Sequence, residues 1–170
     1  HDRYFKEKNL AFIDDEQAND LSNVTLQAND VLLNITGASV ARCCIVPDKY
    51  LPARVNQHVS IIRPNPEIMD SSFLNLLLTS KFYKDQLLFT GEQGSTRQAI
   101  TKVQLQDFII HYPPLPEQKR IVAILDEAFE NIAKAKESAE KNLKNANEVF
   151  ESYLQNIFES KCEGWGEVTL

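Results

Sequence analysis

A chain of 170 residues with 43% apolar side chains can bury one core of ordinary size, or a small domain plus an extension, without disulfide support. Three cysteines, two of them adjacent (Cys43 and Cys44), give neither an even disulfide framework nor metal-ligand spacing, and no apolar run is long enough to span a bilayer. The expected setting is therefore the reducing cytoplasm, with no membrane partner. The net charge of −6 counts against a polyanionic partner, but the charge is unevenly placed. Residues 1–112 carry 11 Lys and Arg against 13 Asp and Glu, and the remainder carries 7 against 11. A near-neutral first part can still present a basic face, because local potential rather than total charge steers binding.

Taken in order, Arg3-Tyr4-Phe5 and Ala11-Phe12-Ile13 have the composition of strand pieces, and Asp14-Asp15-Glu16 with the polar run to Asn23 that of a loop. Val31-Leu32-Leu33-Asn34-Ile35, ended by Gly37, predicts a short buried strand and a turn. Cys43-Cys44-Ile45-Val46 and His58-Val59-Ser60-Ile61-Ile62 predict two more, stopped by Pro47 and Pro64. Asp70-Ser71-Ser72 supplies capping side chains ahead of Phe73. Phe73, Leu76, Leu77, Phe82, Leu87 and Leu88 then mark one helix to about Phe89, which Gly91 and Gly94 break. Phe108-Ile109-Ile110 predicts a final strand, which Pro113, Pro114 and Pro116 prevent from running directly into a helix.

A long helix is the plainest prediction. Pro116 suits a first turn, Glu117 sits where the helix dipole favours a carboxylate, and no Gly or Pro recurs before Gly164. Glu130 with Lys134, Glu137 with Lys141, and Glu140 with Lys144 are spaced four apart in the favourable order. Ile121, Leu125, Ala128, Ile132, Ala135 and Ala139 form a heptad seam. One extra four-residue step leads to Leu143, after which Ala146, Phe150, Tyr153 and Ile157 resume the alternation, as in a stutter. At 1.5 Å per residue such a helix is roughly 66 Å long, whereas a globule of about 110 residues is roughly 35 Å across. The far half of the seam, with its aromatic residues, is then expected to need a partner helix; a solvated amphipathic helix in a monomer is the competing reading.

The search for chemistry returns little. Five glycines leave little room for a phosphate-binding loop, and His1, His58 and His111 have no metal-ligand spacing, so no metal or cofactor and no catalytic residue is expected. His58 reads as a satisfied core or surface histidine. Two polar clusters have the side chains that contact bases and phosphates: Asn34, Thr36, Ser39 and Arg42 around the Gly37 turn, and Ser95, Thr96, Arg97, Gln98 and Lys102 around Gly94. An ordinary surface loop is the competing reading for both.

The run Pro113-Pro114-Leu115-Pro116-Glu117-Gln118-Lys119-Arg120-Ile121-Val122-Ala123-Ile124-Leu125-Asp126 resembles the entry to the conserved helix of type I restriction-modification specificity subunits. Asp30 to Gly37, Asn56-Gln57-His58-Val59 and Gly94 to Ile100 resemble, in the same order, segments of that family's target recognition domains. The resemblance implies an α+β architecture, a small mixed α/β target recognition domain followed by one long coiled-coil helix. On that basis residues 1–112 are expected to be a partial DNA-binding domain, 113–163 the spacer helix, and 164–170 the opening of a second recognition domain or a disordered tail. In such subunits two recognition domains read a bipartite double-stranded DNA sequence. Two antiparallel helices set the half-site spacing and dock methyltransferase subunits, and a separate restriction (motor) subunit cleaves. The resemblance thus implies a non-catalytic partner, and a chain holding one domain and one helix is expected to be a fragment that pairs with a second copy. A coiled-coil protein–protein adaptor without DNA binding is the alternative.

Overall fold

The structure is a computed structural model that describes residues 3–8, 10–92, 99–160, 164–166 and 168–169. The chain divides into two compact units, His1–Ala123 and Ile124–Leu170. The first is built on a three-stranded antiparallel sheet in the order β2-β1-β3, with β1 Val31–Asn34, β2 Cys43–Ile45 and β3 Val59–Ile62. Val31 pairs with Ile45 on one side and Ile62 on the other, and Asn34 pairs with Val59.

Both faces of this sheet are covered, which is why the strands read as continuous apolar runs rather than alternating ones. On one face Val31, Leu33 and Cys43 pack with Phe73, Leu74, Leu78, Leu87 and Ile100 from the helical side. On the other, Leu32 packs with Leu26 and Val46, with Phe5, Tyr50, Val59 and Ile61 against them. The helices of the first unit are α1 Asp15–Asp20, α2 Ser71–Thr79, α3 Lys81–Glu92 and α4 Lys102–Gln106, and α5 spans Leu115–Glu159. The α+β architecture with one long helix is as expected, and no helix among the described residues is long and apolar enough to cross a membrane.

Several local expectations fail, each for an identifiable reason. Ala11-Phe12-Ile13 is not a strand, and Phe12 is 96% exposed. Arg3 makes a single bridge to Cys44, its N–H donating to the Cys43 carbonyl at 2.7 Å, with no strand around it. The acidic stretch forms α1 rather than a loop: Asp14 accepts from the Gln17 N–H at 2.8 Å as an N-cap, and Asp15 and Glu16 sit in the first turn, where carboxylates are favoured. The helix expected over 73–89 is two helices. Ser80 takes an extended conformation and its hydroxyl donates to the Leu77 carbonyl at 2.6 Å, closing α2, while its own carbonyl accepts from the Lys84 N–H at 2.9 Å to start α3. That second helix runs through Gly91, where a Cβ would lie 3.2 Å from the Ile100 side chain, so the missing side chain lets the returning chain pack close. Phe108-Ile109-Ile110 forms no strand: the next N–H, of His111, donates to the Tyr83 hydroxyl at 3.0 Å instead of joining a ladder.

The sheet carries one deeply placed ion pair. Asp30 is wholly buried and takes a fork from Arg63, Nε to Oδ1 and Nη2 to Oδ2 both at 2.7 Å, and a further 2.7 Å bond from the Gln27 N–H. Burial pushes the Asp30 carboxyl up, but the Arg63 fork and the Gln27 N–H together outweigh it and hold the group below the ordinary carboxylate range. A carboxyl depressed in the folded state contributes stability that is present above the unfolded value near 4 and is lost as pH falls through the folded value. Arg63→Ala is expected to cost about 2 kcal/mol at pH 7, because it leaves the buried carboxylate with the Gln27 donor alone among the bonds described. The deficit narrows as the pH falls toward 3, because the buried carboxyl left without Arg63 takes up its proton more readily than the paired one. Urea unfolding at pH 7 and pH 3 checks this, and a deficit that does not change with pH would show that the pair is not its source.

In α5 the first turns belong to the first unit. Gln118 is wholly buried: its Oε1 accepts from the Asp70 N–H at 2.8 Å, and its Nε2 donates to the Ile68 and Pro113 carbonyls at 2.9 and 2.8 Å. Ile121 and Val122 pack against the helical face of the core, so this end of the heptad seam serves its own unit. The helix begins at Leu115, which puts Pro116 in the first turn as expected, and the Pro114 carbonyl accepts from the Glu117 N–H at 2.9 Å. Arg120 forks onto Glu117 at 2.7 Å and holds that carboxyl below its ordinary range. Within the second unit Lys134 pairs with Glu130 as expected, whereas Glu140 pairs with Lys136 and Glu148 with Lys144 rather than in the predicted order.

Candidate nucleic-acid interface

The strand β1 does not stop at a free loop. Beyond Asn34 the chain is held on both sides: the Asn34 N–H donates to the Arg42 carbonyl at 2.8 Å, the Ala41 N–H to the Asn34 carbonyl at 2.9 Å, and the Ile35 N–H to the His58 carbonyl at 2.9 Å. The connection to β2 is a 3-10 turn over Gly37–Ser39, which Gly37 enters at φ +74° and Ala41 leaves at φ +62°. A Cβ at position 37 would meet nothing within 4 Å, so the demand for glycine there is one of backbone conformation alone.

A third segment closes on the same place. The Ile100 N–H donates to the Ile35 carbonyl at 2.8 Å, and Thr36 bridges Ala99 in antiparallel register. Beyond Ile100, Thr101 caps α4 in a capping box with Gln104, which sets Lys102 at the first helical position. Lys102, an exposed residue, lines a cavity of about 450 Å³ together with Leu33, Ser60 and Ile62.

The first polar cluster and Lys102, the described member of the second, are therefore brought to one neighbourhood through Ile35 and Thr36. Asn34, Thr36 and Ser39 are half-buried, and Arg42 and Lys102 are exposed. Ser95, Thr96, Arg97 and Gln98 lie outside the described residues. His58 is exposed rather than a core residue, and its Nδ1 lies 2.6 Å from the Thr36 hydroxyl. Its N–H donates to the Asn56 side chain at 3.0 Å, and the Gln57 amide nitrogen lies 3.5 Å from Nε2.

Acid-free stretches are the signal that sequence reading passed over. Residues 31–47, 49–66 and 93–106 contain no Asp or Glu, although the whole chain carries 24. These stretches supply the three segments that meet at Thr36, and they hold Arg42, Lys49, Arg54, Arg63, Arg97 and Lys102. Two of these cations have structural work: Arg63 is committed to Asp30, and Arg54 donates to the Ala18 and Ala53 carbonyls at 3.2 and 3.1 Å. Lys49 is paired with Glu7 at 2.9 Å. Arg42 and Lys102 make no ion pair among the described residues. The strand end thus presents cations, amides, hydroxyls and an imidazole with no carboxylate of its own, which favours an anionic, hydrogen-bond-accepting partner.

Comparison with known proteins bears on which partner that is. The model of the type I restriction modification DNA specificity domain matches residues 6–145. A protein of Methanocaldococcus jannaschii named as a type I restriction enzyme MjaX specificity subunit is 24% identical over 125 residues, which is 72% of this chain and 29% of that protein. The fold is similar, at a TM-score of 0.65 and 23% identity, to a chain in a solved structure concerned with assembly and conformational transition of the type I restriction-modification system. That match covers 85% of this chain and 36% of the other. The chain spans about a third of the length of these relatives. With the family model matching most of its residues, this chain belongs to the type I restriction-modification DNA specificity family.

Proposed function

We propose that the chain is a recognition and spacing element of a type I specificity subunit. The first unit contacts double-stranded DNA through the end of β1 and the segments joined to it. The observation that carries this reading is the meeting, at Thr36, of three acid-free segments in a protein of net charge −6. Arg42, Lys102 and Arg97 supply cations for phosphates, and Asn34, Thr36, Ser39, Ser95, Thr96 and Gln98 supply the polar groups that distinguish base edges. Residues 1–112 form the recognition part and 113–163 the spacer. No catalytic role falls to this chain: methyltransferase subunits dock on the helix and bring their chemistry, and a separate restriction subunit cleaves. From Leu125 onward, the seam Ala128, Ile132, Ala135, Ala139, Leu143, Ala146, Phe150, Tyr153 and Ile157 pairs with the same helix of a second copy, antiparallel, so that a two-fold axis relates two DNA half-sites.

Binding of a randomised 40-base-pair duplex pool, followed by fluorescence anisotropy across a salt series, tests the DNA reading. The logarithm of the affinity is expected to fall linearly with the logarithm of salt, and Arg42→Ala with Lys102→Ala is expected to lower the slope by about 2 and weaken binding roughly tenfold or more at low salt. Arg97→Ala weakens binding further. Absence of binding by the wild-type chain overturns the reading, and an unchanged slope in the double variant removes the β1 end as the contact surface.

A further inference from the structure

We infer that His58, held by Thr36, is a phosphate clamp: it grips the DNA backbone and fixes the register of the duplex on the β1 end without reading sequence. The inference rests on the DNA-binding reading and adds a residue, and a role, to it.

The ring of His58 has two nitrogens, and one is already engaged. Nδ1 lies 2.6 Å from the Thr36 hydroxyl, a group on the other side of the β1–β3 pairing that can donate or accept as the tautomer requires. The backbone beneath both residues is fixed as well, since the Ile35 N–H donates to the His58 carbonyl and the His58 N–H to the Asn56 side chain. The ring is thereby left with one outward nitrogen, Nε2, on an exposed side chain, with the Gln57 amide 3.5 Å away.

A single fixed point contact is poorly suited to telling bases apart. Discrimination in the major groove comes chiefly from bidentate pairs, in which one side chain matches a donor–acceptor pattern along a base edge. With Nδ1 engaged by Thr36, His58 cannot make such a pair. A phosphate oxygen asks for less: it is anionic, accepts several donors at once, and is satisfied by an imidazole N–H and an amide N–H converging on it. The surroundings agree, because the stretches 31–47 and 49–66, which carry Thr36 and His58, hold no carboxylate to repel a phosphate. Arg42, two residues beyond Val40 at the end of the Gly37 turn, is exposed to share its charge.

The full chain, its His58→Ala, Thr36→Val and His58→Arg variants, and the randomised duplex pool provide the test. Wild type is selected against the pool, the enriched motif is read, and methylphosphonate interference is mapped on the winning duplex. His58→Ala is expected to weaken binding about tenfold for all sequences alike, leave the enriched motif unchanged, and abolish interference at one phosphate. Thr36→Val releases the ring and gives a smaller loss at that same phosphate, in addition to any change of motif from the lost hydroxyl. His58→Arg restores the affinity with the same motif and steepens the salt slope by about 1. Both positions are at the surface or half-buried, and thermal unfolding of each variant confirms that the fold is retained. A changed motif in His58→Ala would make His58 a base reader, and unchanged affinity would give it no part in binding; either result overturns the inference while leaving the DNA-binding reading in place. Failure of wild type to enrich any sequence or to bind the pool overturns that reading, and the inference with it.

Discussion

Replacing Gln118 by leucine is expected to lower the stability of the first unit by about 3 kcal/mol, a fall of roughly 10 °C in its unfolding midpoint. The two side chains are close in volume, so little packing is lost. What is lost is the partner of one backbone N–H, at Asp70, and of two carbonyls, at Ile68 and Pro113. An unmade buried hydrogen bond costs about 1–3 kcal/mol, and the exposure around Ile68 lets water repair part of the damage. Gln118→Glu sharpens the test. The carboxylate can still accept from Asp70, but at neutral pH it faces two carbonyl oxygens with nothing to donate. Its deficit is expected to exceed that of leucine at pH 7 and to shrink as the pH is lowered and the new carboxyl protonates. Thermal unfolding of the three proteins at pH 7 and pH 4 decides the matter; a midpoint within a degree or two of wild type for Gln118→Leu would mean that the bonds are made equally well by solvent.

The triple change Phe150→Gln, Tyr153→Gln and Ile157→Gln is expected to abolish the proposed pairing of two copies through the helix. Within the second unit these side chains are 61%, 69% and 48% exposed, on a helix that also leaves Ile132 and Leu143 open. Burying an apolar side chain is worth about 1.5–3 kcal/mol, so removing three from each copy, even allowing for partial burial at a helix seam, costs at least about 4 kcal/mol of association, or a thousandfold in affinity. Glutamine keeps helix propensity, so the isolated chain retains its far-ultraviolet signal. Sedimentation at tens of micromolar should show a dimer for wild type and a monomer for the variant. A monomeric wild type would remove pairing of copies from the proposal.

Much of the fold was legible because the relevant forces are local. The run Val31-Leu32-Leu33 announces a strand buried on both faces, and both clusters of the core do meet on it. The absence of Gly and Pro announces α5, and Asp70 caps α2 as its position suggests. The break at Ser80 was not legible, since serine followed by lysine carries no obligatory turn; it is fixed by capping bonds visible only once the helices are placed. Phe108-Ile109-Ile110 has strand propensity, but propensity needs a ladder to join, and Tyr83 takes the N–H of the next residue. At the site, Gly37 flagged the turn after β1, yet the approach of the third segment depends on the Ile100 to Ile35 bond, a contact made across 65 positions of sequence. The role of His58 was hidden for the same reason, its partner Thr36 being 22 residues away. Gln118 lay in a motif whose resemblance was plain, but nothing in its neighbours says that its amide will be wholly buried.

The central strand has a consequence for how such a protein can diversify. The residues that secure the core, Val31 and Leu33, and those that would face a ligand, Asn34, Thr36, Ser39 and Arg42, follow one another along a short reach of the same backbone. Their hydrogen bonds to the flanking segments run through main-chain atoms, at Asn34, Ile35 and Arg42, which any side chain but proline can supply. The contact side chains can therefore be exchanged while the ladder beneath them stays shut. On the proposed reading, a change of preference at these positions is decoupled from a change of stability.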